Sequence, residues 1–183
     1  WGEESLPRIR HKFGYPELEE KYAKHHPELA TNFEKIRDAI ISDERENRND
    51  SLEKVKSSDY DGFYFEQYWN TFVRRADKDI TSLVVECRKP SGFEHDYYSY
   101  KAYNYDTESG KEITLADVAS DENALFDRVA QRAAEYVDDF PTEGWGDEAK
   151  ADAKQIRADL PDYLAEGNCC FSIDPQGINF YFD

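Results

Sequence analysis

Side chains able to do chemistry are few in this chain, and they are scattered. Its four histidines, His11, His25, His26 and His95, are the candidate bases or metal ligands. His25 and His26 are adjacent, so they cannot share one helical face as an i, i+4 metal pair does. His11 stands alone. His95 lies in Gly92-Phe93-Glu94-His95-Asp96, between two runs with strand character. A base there would use a neighbouring carboxylate, Glu94 or Asp96, and would still need a nucleophile. No G-x-S-x-G elbow, H-E-x-x-H pair or glycine-rich phosphate loop occurs. The stretch Asp106-Thr107-Glu108-Ser109-Gly110 has the start of a calcium loop but lacks its third oxygen donor and its twelfth-position Glu, so it reads as a turn.

Cys87, Cys169 and Cys170 fit no paired zinc spacing. No metal and no cofactor is expected. Strand alternation puts Cys87 with Leu83 and Val85, and Cys169 with Phe171 and Ile173, each on an apolar face. Cys87 and Cys169 are therefore disulfide candidates in an oxidising compartment and reduced core residues otherwise.

The elements that must position these groups follow from periodicity. Residues 1–26, with Pro7, Gly14 and Pro16, read as an extended lead-in with one strand near Leu6 to Phe13. Leu29, Phe33, Ile36 and Ile40 recur at helical spacing. The polar run from Ser42 to Gly62 then extends that helix or frays into a loop. FYFEQYWNTFVRR, ITSLVVECR and YYSYKAYNYD read as three consecutive antiparallel strands. On the third, Tyr98 and Tyr100 share one face and Tyr103 and Tyr105 the other. Ser120 is placed to cap a helix with Phe126, Val129, Ala133 and Val137 inward, ending near Phe140. A further helix follows Gly146 with Ala149, Ala153, Ile156 and Leu160 on one stripe, kinked or restarted at Pro161 and ended by Gly167. The tail is a hairpin turning at Asp174-Pro175-Gln176-Gly177, which adds two strands to the sheet. The expected class is α+β: an antiparallel sheet of about four to five strands packed against two to three helices, in a single domain over residues 1–183.

With 40 acidic and 23 basic residues the net charge is −17, which repels phosphate backbones and anionic lipid surfaces. Nucleic acid is excluded as a partner class, and a basic protein is favoured. Negative charge concentrates from Glu135 to Asp152, where Glu143 and Asp147 bracket Trp145. That stretch is a candidate docking loop for a cationic partner, or a solvated loop with its tryptophan tucked inward. No apolar run reaches the ~20 residues that span a bilayer. The chain begins at Trp1 and contains no Met, so an upstream segment, a signal or anchor, is expected to have been removed, and membrane attachment would run only through it.

The order ITSLVVE, then GFEHDYYSYKAYNYDTESGKEITLADV, two helices and a final GINFYF strand resembles the extracytoplasmic domain of RsiV-type anti-sigma factors and the accessory region of PdaC-type peptidoglycan deacetylases. Both fall in the domain families of unknown function 3298 and 4163. His95 and Asn104 keep the family spacing, followed in order by Asp106, Gly110, Lys111, Leu115 and Asp117. Gly-Phe-Glu-His stands where the family has a small-residue loop, and Ser109 is inserted within its Thr-Gly-Lys turn. Residues 1–106 resemble the 4163-type part and residues 107–183 the 3298-type part. The resemblance implies a non-catalytic bacterial cell-envelope module, secreted or surface-anchored. Its implied partner is lysozyme, another basic protein or peptidoglycan. The expected ligand-binding residues are Phe93, His95, Tyr97, Glu143, Trp145 and Asp147, on a monomeric scaffold expected to carry no catalytic residues. The alternative is an accessory domain of a peptidoglycan-modifying enzyme whose catalytic part lies outside this chain.

Overall fold

The computed structural model describes residues 2–6, 9–57, 65–89, 97–139 and 153–182. Its elements, in chain order, are β1 (Gly2–Leu6), β2 (Ile9–Phe13), α1 (Glu20–Ala23), α2 (Pro27–Ser57), β3 (Phe65–Ala76), β4 (Ile80–Lys89), β5 (Tyr97–Asp106), α3 (Leu115–Val118), α4 (Glu122–Asp139), α5 (Ala153–Glu166), β6 (Cys169–Asp174) and β7 (Gly177–Phe182). The class is α+β, as the alternating and helical patterns require. The chain divides into two compact units, one holding residues 1–112 and 171–179, the other residues 113–170 and 180–182.

In the first unit a five-stranded sheet runs β1-β2-β3-β4-β5. The lead-in forms two strands where one was expected. β1 and β2 pair antiparallel, and β2 then lies parallel to β3, Ile9 beside Phe65 and Phe13 beside Trp69. The sheet is therefore mixed at this one junction. A parallel neighbour needs a long crossover, and α2 supplies it: the polar run that could have frayed stays helical to Ser57. β3, β4 and β5 are the antiparallel trio expected, with a bulge between Val73 and Arg75.

The core lies between α2 and one sheet face. Leu29, Phe33, Ile36 and Ile40 pack on Trp69, Leu83 and Val85, with Cys87, Tyr103 and Tyr105 at the margin. Each buried apolar side chain of this size is worth about 1.5–3 kcal/mol relative to exposure. The tyrosine alternation holds, since Tyr103 and Tyr105 join the core while Tyr98 is 41% exposed.

The β6–β7 hairpin turns at the expected residues but does not extend the main sheet; it forms a two-stranded sheet of its own. Residues 171–173 lie on the sheet face opposite α2. There the buried Ser82 Oγ accepts from the Ile173 N–H at 3.0 Å and donates to Asn104 Oδ1 at 2.7 Å, and Asn104 Nδ2 donates to the Phe171 carbonyl at 2.8 Å.

In the second unit α4 and α5 pack together, with Ala130, Ala134 and Leu160 buried. The cap of α4 is Asp121, whose carboxylate accepts from the Ala124 N–H at 3.0 Å, where Ser120 was expected. α5 runs through Pro161 and ends at Gly167, whose φ of 78° is the left-handed conformation of a C-terminal glycine. Arg157 ties the pair: its guanidinium donates to Asp127 at 2.6 Å and Asn123 at 2.9 Å and lies over the Phe126 ring. Cys87 belongs to the first unit, Cys169 and Cys170 to the second, and Cys169 is buried.

Candidate functional site

Of the six expected ligand-binding residues only Tyr97 falls among those described, and it is 61% exposed at the first position of β5, paired with Lys89 at the end of β4. The β4–β5 ladder runs from Ile80 beside Asp106 to Lys89 beside Tyr97. Phe93, His95, Glu143, Trp145 and Asp147 lie outside the described residues. Residues 95 and 145 fall in the ranges of different units.

Inside the first unit is a polar constellation that the sequence reading passed over. His11 is fully buried, and its Nδ1 is 3.0 Å from Oε1 of Glu44, which is itself buried. Arg48, one turn further along α2, places Nε 3.6 Å from the same carboxylate oxygen. The Trp69 indole meets the imidazole edge-on at 5.6 Å between centroids. Gln67, the neighbour of His11 in the parallel register, donates to Asn47 Oδ1 at 3.5 Å, and Lys89 Nζ donates to the same oxygen at 3.1 Å. His11 Nε2 and Gln67 Oε1 are buried without a hydrogen-bond partner.

A carboxylate bonded to one imidazole nitrogen is the arrangement that orients a catalytic or metal-binding histidine. Here the free nitrogen is enclosed between helix and sheet, and a base has to reach its substrate. What the arrangement does in this structure is fasten β2 to the middle of α2. The signal was available: Ile9, His11 and Phe13 alternate, so His11 shares the apolar face of its strand. Among the described residues no group of three or more His, Cys, Asp or Glu is placed to hold a metal ion.

Turn carboxylates form the other organised polar feature. Asp106 Oδ1 accepts from the N–H and hydroxyl of Ser109 at 2.7 and 2.6 Å, which hold its carboxyl below the usual range. Asp77 accepts from the N–H groups of Ile80 and Asp79 and from Arg75, and its pKa falls to about 2. Asp174 binds the Asn179 amide and the Gln176 and Gly177 N–H groups, and is likewise lowered. The would-be calcium loop is thus a turn whose oxygens are committed to local donors.

No protein-family profile matches the chain, and no curated protein does. A solved structure of a protein from the domain of unknown function 3298 family, from Pseudomonas aeruginosa PAO1, matches with 19% identity and a TM-score of 0.32. The match covers 43% of this chain and 38% of that one.

Proposed function

We propose that this chain is a non-catalytic ligand-binding or sensing domain of a bacterial cell envelope, working outside the cytoplasm and taking a basic protein such as lysozyme as its partner. The observation that carries the reading is the net charge of −17 together with the run from Glu135 to Asp152, where seven acidic residues stand against Lys150 in the sequence around Trp145. Such a field raises the encounter rate with a cationic protein, and Trp145 within it supplies an anchor of the kind that dominates interface energies. The β4–β5 ladder, which ends at the exposed Tyr97, is compatible with the reading.

The charge-reversed variant Glu143→Lys with Asp147→Lys tests the reading. Association with lysozyme, followed by surface plasmon resonance, is expected to slow several-fold, mostly in the on-rate. An unchanged on-rate would remove the acidic loop as the docking site. Hydrolysis or deacetylation of peptidoglycan by this chain alone, abolished by His95→Ala, would replace the binding reading with an enzymatic one.

A further inference from the structure

The five-stranded sheet has two edges of different character. On one side is β1, whose short sequence GEESL holds two glutamates, and charge is one of the devices that keep an edge strand from pairing with another chain. On the other is β5, which runs from Tyr97 to Asp106 without a proline and pairs with β4 residue for residue, with no register shift. Between Tyr97 and Tyr105 its one charged side chain is Lys101, and the ammonium of Lys101 is bonded to Asp43 of α2 at 2.7 Å. The β5 edge therefore carries no bulge, no proline and no uncompensated charge along this stretch.

Main-chain direction decides which groups that edge offers. The Thr107 N–H donates to the Asp79 carbonyl at 3.0 Å, on the β4 side, whereas the Asp106 N–H donates to the Lys111 carbonyl at 2.8 Å, away from β4. The Ile80 carbonyl accepts from the Asp77 N–H, toward β3, so the facing pair Ile80 and Asp106 exchanges no hydrogen bonds. Direction alternates along an unbulged antiparallel strand, and Asn104, Ala102, Tyr100 and Tyr98 turn outward as Asp106 does. The chain beyond the turn returns to this edge only at its far end, where Glu112 bridges to Tyr105. Among the described residues the outward N–H and C=O of Tyr98 and Ala102 meet no hydrogen-bond partner.

An open strand edge is a template for an extended segment, which bonds to it through main-chain groups at every second residue. Charge selects the occupant. A second copy of this chain would bring another net −17 into the same field, whereas a segment bearing lysine or arginine is drawn toward it. We propose that the outer edge of β5 takes an extended cationic segment of a protein partner as an added strand, hydrogen-bonded at Tyr98 and Ala102. The proposal rests on the reading of a cationic protein partner and adds the element that holds it. The two fail separately: absence of peptide binding at β5 leaves the acidic loop standing, and an unchanged lysozyme on-rate in the loop variant leaves the β5 edge standing.

The test titrates the whole chain into a fluorescent heptapeptide of alternating lysine and valine at low salt, read by anisotropy, with amide hydrogen exchange followed by NMR. Saturable binding is expected, with exchange slowed at the Tyr98 and Ala102 amides. The same peptide N-methylated throughout keeps its charge and loses every main-chain donor, and is expected to bind about tenfold weaker or worse. Ala102→Pro deletes one outward N–H at a position where an edge strand tolerates proline, and should weaken the parent peptide by a similar factor while thermal unfolding shows the sheet retained. Should that variant unfold, the methylated peptide on the unaltered chain decides. Equal affinity for the methylated peptide, equal affinity for a glutamate–valine peptide, protection that misses Tyr98 and Ala102, self-association of the chain in place of peptide binding, or no binding at millimolar peptide would each overturn the proposal.

Discussion

Gly110 lies directly against Leu29. A Cβ placed on Gly110 would come within 2.7 Å of both the Leu29 backbone nitrogen and the Glu28 Cβ, and its φ of 69° is left-handed. The Asn32 amide, one turn along α2, donates to the Gly110 carbonyl at 2.8 Å. The turn after β5 is thus the seat for the start of the long helix, which explains the glycine at this position.

Replacing Gly110 with Ala should cost about 2–4 kcal/mol, from the left-handed backbone together with overpacking against α2. Urea denaturation of Gly110→Ala checks this. A loss under about 0.5 kcal/mol, the range of an ordinary surface change, would mean that the helix start yields easily.

Glu44→Ala removes one member of a buried pair and leaves the fully buried His11 imidazole without its Nδ1 partner. A loss of about 1–3 kcal/mol is expected, the cost of leaving a buried polar group without its hydrogen-bond partner. The double variant His11→Phe with Glu44→Leu, which removes both polar groups, should recover a substantial part of it. A double-mutant cycle by chemical denaturation decides, and additive single effects would show that the two side chains do not depend on each other.

Acid should loosen the turns together. Asp77, Asp106 and Asp174 all have pKa values below the ordinary 3.8, and for Asp77 the value is about 2. A carboxyl lowered by folding contributes stability that is present above its unfolded value and is lost as pH falls toward its folded one. The urea midpoint should therefore drop as pH is lowered from 3.8 toward 2, and the drop should be shallower in Asp77→Asn. An identical acid profile for that variant would show that Asp77 takes no part.

Local signals made the main elements legible in the sequence. Helical spacing marked Leu29 to Ile40, and aromatic and β-branched alternation marked β3, β4 and β5. Partner choice was not legible, because it is set by distant segments. Nothing within Ile9–Phe13 states that it will lie parallel to β3, and nothing in the tail states that its hairpin will pair only with itself. Glu44 reads as one more charge on a polar helix surface, and His11, 33 residues earlier, joins Arg48 in making its burial tolerable. The cap of α4 moved by one residue because Ser120 and Asp121 both suit that role, and the carboxylate took it. Of the candidate site, Tyr97 is the described member, exposed at the first position of β5, and the other five residues lie outside the described ones.

The central claim, recognition of a cationic partner without transformation, is tested most directly by titrating fluorescent lysozyme with this chain at increasing ionic strength and then examining the lysozyme for chemical change. Saturable binding that weakens steeply with salt, with lysozyme recovered intact, is the expected result. No binding at low salt, or affinity indifferent to salt, would contradict it.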